Sequence, residues 1–121
     1  MAKLTTKTFQ GMDIDEFTSL AFQEGWSDGL PVLPPTEKRV GDILSYVDRD
    51  PTDVVGVIPP DEGVATVEGV AINCAMAGCK PEYVPIVIAA VQAMLEDEFR
   101  LPQVQTSTVG AVPCAIISGP V

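Results

Sequence analysis

The chain has 121 residues, of which 46% are apolar, and this length and composition are typical of one folded domain with a real hydrophobic core. Seven basic residues against seventeen acidic ones give a net charge of −10, which makes nucleic acid and anionic membranes poor partners. The sequence contains no histidine, so catalysis by this chain alone would have to use thiols, carboxylates, tyrosine, lysine or backbone dipoles.

Residues 1–11 are polar and threonine-rich, without the apolar centre of a signal peptide, and no apolar run is long enough to span a membrane. We therefore expect a bacterial-type cytoplasmic protein that does not associate with membranes. The three cysteines are an odd number, so free thiols are expected rather than a disulfide framework.

The N-terminal part is predicted to be an arm followed by a helix. The apolar residues of 1–11 show no consistent helix or strand periodicity, so this segment should form a loose or edge-pairing arm. The first helix should run from Asp13 to about Glu24, because Asp13 and Glu16 have the spacing of a capping box and the apolar residues share one face. Gly25 should end this helix.

A loop rich in glycine and proline follows at 25–35 and contains the only tryptophan. Trp26 is either a core residue or part of a ligand pocket, since ligands are often bound by loops on rigid elements. Asp28 is either an Asx-type turn residue or a polar anchor for a ligand. Thr36 should then cap a second amphipathic helix that reaches Val47.

Two strands, at 53–60 and 64–72, are predicted to form a hairpin around a turn at 61–63. On this pattern Glu68 should face solvent. Polar and apolar residues alternate at 103–110, which indicates a half-buried strand or a loop.

The last apolar run, 111–121, is typical of a strand that is buried on both faces. Such a strand needs neighbours that no later residue of this sequence supplies, so we expect a subunit, a processed fragment or a truncated chain, whose fold a partner polypeptide completes. The predicted fold is a single α/β domain, 1–121, with three or four helices and a small mixed β-sheet completed by that partner.

The central helix is predicted at 84–95, where Gln92 is almost the only strongly polar residue. A run this apolar favours a helix buried on most of its circumference. Pro81 suits the first helical position. Cys79 should then lie next to the N-terminus of this helix, where a thiolate is favoured.

Two arrangements of the cysteines remain open. In a helix that contains Cys74 and Cys79, their offset would put the sulfurs about 140° apart around the axis. In a helix that begins after Cys79, the two could form a catalytic pair, with Cys79 as nucleophile, Cys74 as resolving thiol and Glu82 as proton handler. Only Cys114 could be a third thiolate ligand, so the signal for a metal ion, the one candidate cofactor, is weak. Cys74 and Cys114 could also be small buried apolar residues.

The remaining candidate residues concern binding of a small-molecule substrate. Asn73 either caps the segment after it or presents its amide to a ligand. Gly78 places Cys79 at a turn. The candidate substrate-binding residues are Asn73, Gly78, Trp26 and Asp28.

Four blocks of sequence, Gly25–Thr36, Asn73–Tyr83, Gln105–Thr106 and Ser118–Pro120, carry a resemblance. They resemble the N-terminal third of longer bacterial proteins, some of which carry or adjoin a UGSC-type module, a thiol or selenocysteine motif. The resemblance covers nearly the whole chain and implies an enzyme-like protein whose other part lies downstream or on a second polypeptide. The Cys/Sec-Gly-Ser-Cys motif itself does not occur in this sequence.

The leading hypothesis is the small subunit or N-terminal fragment of a heteromeric bacterial enzyme. It would act on a small organic molecule by cysteine- or metal-assisted redox, lyase or hydrolytic chemistry. The alternative is a non-catalytic acidic interaction or scaffold module that completes a partner's fold. A redox or metal carrier is a third hypothesis, and it requires the cysteines to converge in space.

Overall fold

A computed structural model describes residues 5–119, which form a small mixed α/β structure. The α/β class is confirmed, but the described part has five α-helices rather than three or four, and its sheet has two antiparallel strands rather than a mixed set. Residues 1–4 of the predicted arm and 120–121 of the predicted last strand lie outside the described residues. The elements are α1 (Ile14–Gln23), α2 (Glu37–Leu44), β1 (Val54–Ile58), β2 (Gly63–Thr66), α3 (Val67–Met76), α4 (Val84–Met94) and α5 (Leu101–Gln105), with 3-10 helices at Pro81–Tyr83 and Asp97–Phe99.

The starts of α1 and α2 are set by the predicted caps. The Asp13 carboxylate accepts the N–H of Glu16 at 2.9 Å, and the Glu16 carboxylate accepts the N–H of Asp13 at 3.0 Å, which completes a capping box. Gly25 has a φ of +71° just after α1, a conformation that glycine adopts without strain. Thr36 caps α2, which ends at Leu44, earlier than predicted.

The predicted second strand is wrong beyond Thr66. Thr66 caps α3 by accepting the N–H of Gly69 at 3.1 Å, so the hairpin ends there and a helix begins. The buried residues of α3 recur at helical spacing and pack with α2, β1 and α4 into the main core. This packing outweighs the strand preference of the valines and isoleucine in the segment. The buried apolar positions of α3 are Val67, Val70, Ala71, Cys74 and Ala75.

The central helix α4 is present, and most of its circumference is buried or half-buried, although full burial is confined to two residues. Only Val84 and Ile88, one turn apart, are buried, and the side with Pro85, Ala89 and Gln92 is exposed. The helix packs on α3 and β1 along one stripe, and no second layer within residues 5–119 covers the other side. Across the described residues, no helix has both the length and the apolar character needed to cross a membrane.

The prediction of a buried strand after residue 110 is also wrong for the described residues. The chain is helical at Leu101–Gln105 and has no regular structure from 108 to 119. Val112 is 83% exposed and Ile116 is 94% exposed, so this apolar segment has no neighbours within residues 5–119. A strand requires a pairing edge, and neither hairpin strand is paired with this segment.

Candidate functional site

The end of α3 brings Cys74 and Cys79 together. The N–H of Cys79 donates to the C=O of Cys74 at 2.9 Å, and the N–H of Gly78 donates to the C=O of Ala75 at 3.2 Å. Gly78 is left-handed, with a φ of +75°. These are the bonds of a Schellman motif, in which the side chains at the positions of Cys74 and Cys79 contact each other.

The two thiols held together by this motif differ in solvent exposure. Burial, the charge of Cys79 and its side-chain hydrogen bond, in that order of size, together raise the pKa of Cys74 to about 11. Cys74 is only 5% exposed, whereas Cys79 is partly exposed. The accessible thiol is therefore Cys79, and Cys74 lies behind it in the core.

The observed arrangement has a part of each prediction: Cys74 lies in a helix, and the central helix α4 begins after Cys79. The helix contains Cys74 but ends before Cys79, because Gly78 reverses the chain between them. Cys79 follows the C-terminus of α3, and a 3-10 turn at Pro81–Tyr83 separates it from α4. Cys79 therefore lies between the two helices and does not directly precede the first residue of α4.

The other residues proposed for thiol or metal chemistry do not join this pair. Glu82 lies in the 3-10 turn, and the shift in the Cys74 pKa comes from burial and Cys79 without a contribution from Glu82. Cys114 is exposed in the C-terminal segment, and all three cysteines are free thiols. Within residues 5–119, no three Cys, Asp or Glu side chains are grouped so that they could hold a metal ion.

A cleft of about 660 Å³ lies elsewhere, between the N-terminal arm and α3. Two of the predicted substrate-binding residues, Trp26 and Asn73, line it together. The thiols do not line it, so the structure divides the predicted site residues between two places. Other lining residues that matter below are Lys7, Phe9, Glu24 and Glu37.

The two predicted ligand-binding residues in the cleft differ in how they are held. Trp26 is half exposed and meets the ring of Phe9 edge to face, with 6.1 Å between ring centroids. Asn73 lies inside α3 rather than at a cap, and its Nδ2 donates to the C=O of Gly69 at 2.9 Å. The Asn73 Oδ1 remains as an acceptor at the cleft.

Asp28 and Gly78 have backbone roles. The Asp28 Oδ1 accepts the N–H of Leu30 at 3.1 Å, which is the Asx-type turn that was one of the two predicted alternatives. Asp28 does not line the cleft. Gly78 adopts the left-handed conformation of the Schellman motif and so brings Cys79 back against Cys74.

The arm is held against α3 by a residue that sequence reasoning misplaced. Glu68 was expected to face solvent, but it is 1% exposed because it belongs to α3 rather than to a strand. Its carboxylate accepts hydrogen bonds from both hydroxyls, at 2.6 Å, and both backbone N–H groups, at 3.0–3.1 Å, of Thr5 and Thr6. Burial raises the pKa of Glu68, but these bonds outweigh it and leave a lowered pKa. No short-range signal marks a contact between residues 63 positions apart.

Comparisons of the chain with protein-family models, with curated proteins and with solved structures found no match. The resemblance to proteins associated with UGSC-type modules therefore stays a prediction.

Proposed function

We propose that this chain is one part of a multi-chain enzyme in which Cys79 and Cys74 act as a dithiol on a small organic molecule. The observation that carries this proposal is the Schellman motif, which holds an accessible thiol against a buried one. Among the chemistries considered, paired thiols favour redox chemistry over lyase or hydrolytic chemistry, because a thiol next to the first can resolve a mixed disulfide.

The substrate class that fits is a small-molecule disulfide. The Cys79 thiolate attacks one sulfur, forms a mixed disulfide and releases one substrate thiol. Cys74 then attacks the Cys79 sulfur and releases the second thiol. Two electrons pass from the dithiol to the substrate, and the two thiol protons leave with the products.

The raised pKa of Cys74 makes the second step depend on pH. In the mixed disulfide Cys79 no longer carries a thiol, but burial, the largest cause, still holds the pKa of Cys74 above its ordinary value of 9.0. We expect the rate of intramolecular disulfide formation to rise about tenfold per pH unit from neutrality to about pH 9. Stopped-flow measurement of release of the second thiol gives this rate, and a rate that stays flat above neutrality would contradict the assignment of Cys74 as resolving thiol.

Single cysteine variants test the pair directly. After reaction with a nitrobenzoate disulfide, the wild-type protein should release two thiols from the pair and carry no adduct there, as read by intact mass. Cys74→Ser should trap a stable mixed disulfide on Cys79, and Cys79→Ser should react slowly at Cys74. Cys114→Ser, which removes an exposed thiol outside the pair, is the matched control and should still close the disulfide. A stable adduct on both Cys74 and Cys79 of the wild type would refute the proposal.

A second candidate, a non-catalytic module that completes a partner's fold, is favoured by the exposed apolar segment at 108–119. Val109, Val112 and Ile116 are each more than four-fifths exposed, and β1 and β2 each have an unpaired edge within the described residues. The two candidates are compatible if the partner is the larger part of the enzyme. Unchanged activity of the assembled protein in the Cys79→Ser variant would favour the non-catalytic module over the dithiol enzyme.

The double substitution Val112→Asp and Ile116→Asp should leave the isolated chain as stable as the wild type, within about 0.5 kcal/mol, because both side chains lie in solvent. It should also reduce binding of an apolar dye and any self-association. Urea denaturation and sedimentation velocity measure the two effects. Ile43→Asp, at a buried core position, is the contrasting variant and should unfold the chain.

A further inference from the structure

We infer that the cleft between the N-terminal arm and α3 binds an organic ammonium ion with an apolar body. This inference rests on the small-molecule part of the proposed function and names a class of ligand for the cleft. It does not depend on the thiols, which do not line the cleft.

The first observation is that the chain's own ammonium group already lies on an aromatic face of the cleft. Lys7 Nζ is 4.9 Å from the centroid of the Phe9 ring, within the range of a cation–π interaction. Trp26 meets that ring edge to face, so the two rings form one aromatic corner. Such corners attract ammonium groups because the faces of the rings are electron-rich.

The second observation is the charge of the lining. Glu24 and Glu37 line the cleft, against Lys7 as the one basic residue of the lining, and the whole chain carries a net charge of −10. This potential favours a cation and disfavours an anion. The Asn73 Oδ1, left free because Nδ2 bonds to Gly69, can accept from the N–H groups of an ammonium ligand.

The third observation is size. The cleft volume of about 660 Å³ lies within the range of small-molecule pockets, and its floor includes the apolar side chains of Phe17, Val40, Ile72 and Met76. An arylalkyl amine can place its ring on this floor and its ammonium in the aromatic corner. The ligand ammonium would then replace that of Lys7, whose flexible side chain can swing into solvent.

Titration of the full chain with phenylethylammonium, followed by calorimetry at low ionic strength, tests the inference. Neutral phenylethanol and anionic phenylpropionate are the matched ligands of similar size. We expect saturable binding of the ammonium at least about fivefold tighter than that of the alcohol, and none of the anion. Binding of the alcohol or the anion as tightly as the ammonium, or no saturable binding of the ammonium at millimolar concentration, would overturn the inference.

Substitutions inside and outside the cleft test where the ammonium ligand binds. Trp26→Leu and Glu37→Gln should each weaken ammonium binding about fivefold, and Lys7→Ala should tighten it because the competing internal cation is gone. Tyr46→Leu and Glu98→Gln, at exposed positions outside the cleft, should have no effect. Equal affinity of Trp26→Leu and wild type would place the ligand elsewhere and refute the site. Cys79→Ser should bind the ammonium normally, so failure of the thiol proposal and failure of this one are distinguishable.

Discussion

Glu68→Gln should lower the free energy of unfolding by about 3 kcal/mol, since hydrogen bonds to a buried charged group contribute about 1.5–3 kcal/mol each. The glutamine has nearly the same shape, but it offers one acceptor oxygen, and its amide N–H groups face the donors of Thr5 and Thr6. At least two of the hydrogen bonds to the arm are therefore lost, and the remaining donors are left unsatisfied.

Urea denaturation at neutral pH measures this loss, with Glu98→Gln at an exposed position as the control. Release of the arm should also change the fluorescence of Trp26, because Phe9 of the arm packs against it. A loss of stability no larger than that of the control would show that Glu68 does not anchor the arm in solution.

The same contact predicts a pH dependence with a definite sign. The folded-state pKa of Glu68 is lowered, because the hydrogen bonds from Thr5 and Thr6 outweigh burial. Such a carboxylate stabilises the fold above its unfolded-state pKa, about 4.3, and loses this contribution as the pH falls through the lower folded-state pKa. The stability difference between wild type and Glu68→Gln should therefore be largest near neutrality and shrink below about pH 4.

Gly78→Val should destabilise the chain by about 2 kcal/mol, because a side chain in the left-handed region costs roughly 1–2 kcal/mol and β-branching adds to it. A Cβ at this position would also lie 3.4 Å from Leu33 Cδ1. Relief of the strain requires the chain to leave the Schellman conformation, which separates Cys74 from Cys79. The variant should thus lose disulfide closure as well as stability.

Gly41→Ala is the matched control for this variant. Gly41 lies within α2, and a Cβ there meets no atom within 4 Å. Alanine should therefore stabilise the chain by about 0.5–1 kcal/mol and leave thiol closure unchanged. Thiol closure in Gly78→Val at the wild-type rate would show that the two thiols meet without the Schellman motif.

Elements governed by short-range interactions could be predicted from the sequence. The caps at Asp13 and Thr36 bond to residues three positions away, so α1 and α2 begin where the local pattern indicates. The Schellman motif also has a local signal in the sequence. A glycine four positions after Cys74, followed directly by Cys79, is the spacing at which such a helix end brings two side chains together.

Features that depend on tertiary packing could not be predicted in this way. The segment 67–76 contains strand-forming residues, and its cap at Thr66 and its packing in the core, most extensively against α2, favour a helix instead. Because the segment was predicted as a strand, Glu68 was expected to be exposed, whereas in the observed helix it is buried. Trp26 and Asn73 were proposed separately as ligand-binding residues, but the cleft that unites them is formed by the arm, whose position depends on the distant Glu68 contact.

The position of the thiols at a helix end also determines what oxidation would change. Cys74 and Cys79 are already joined through their backbone by one hydrogen bond, so a covalent link between their sulfurs would close a ring around a turn that is formed in the reduced protein. Little chain freedom therefore remains to be lost there when the disulfide forms. If the pair acts as the proposed dithiol, its oxidation should therefore cost little conformational entropy.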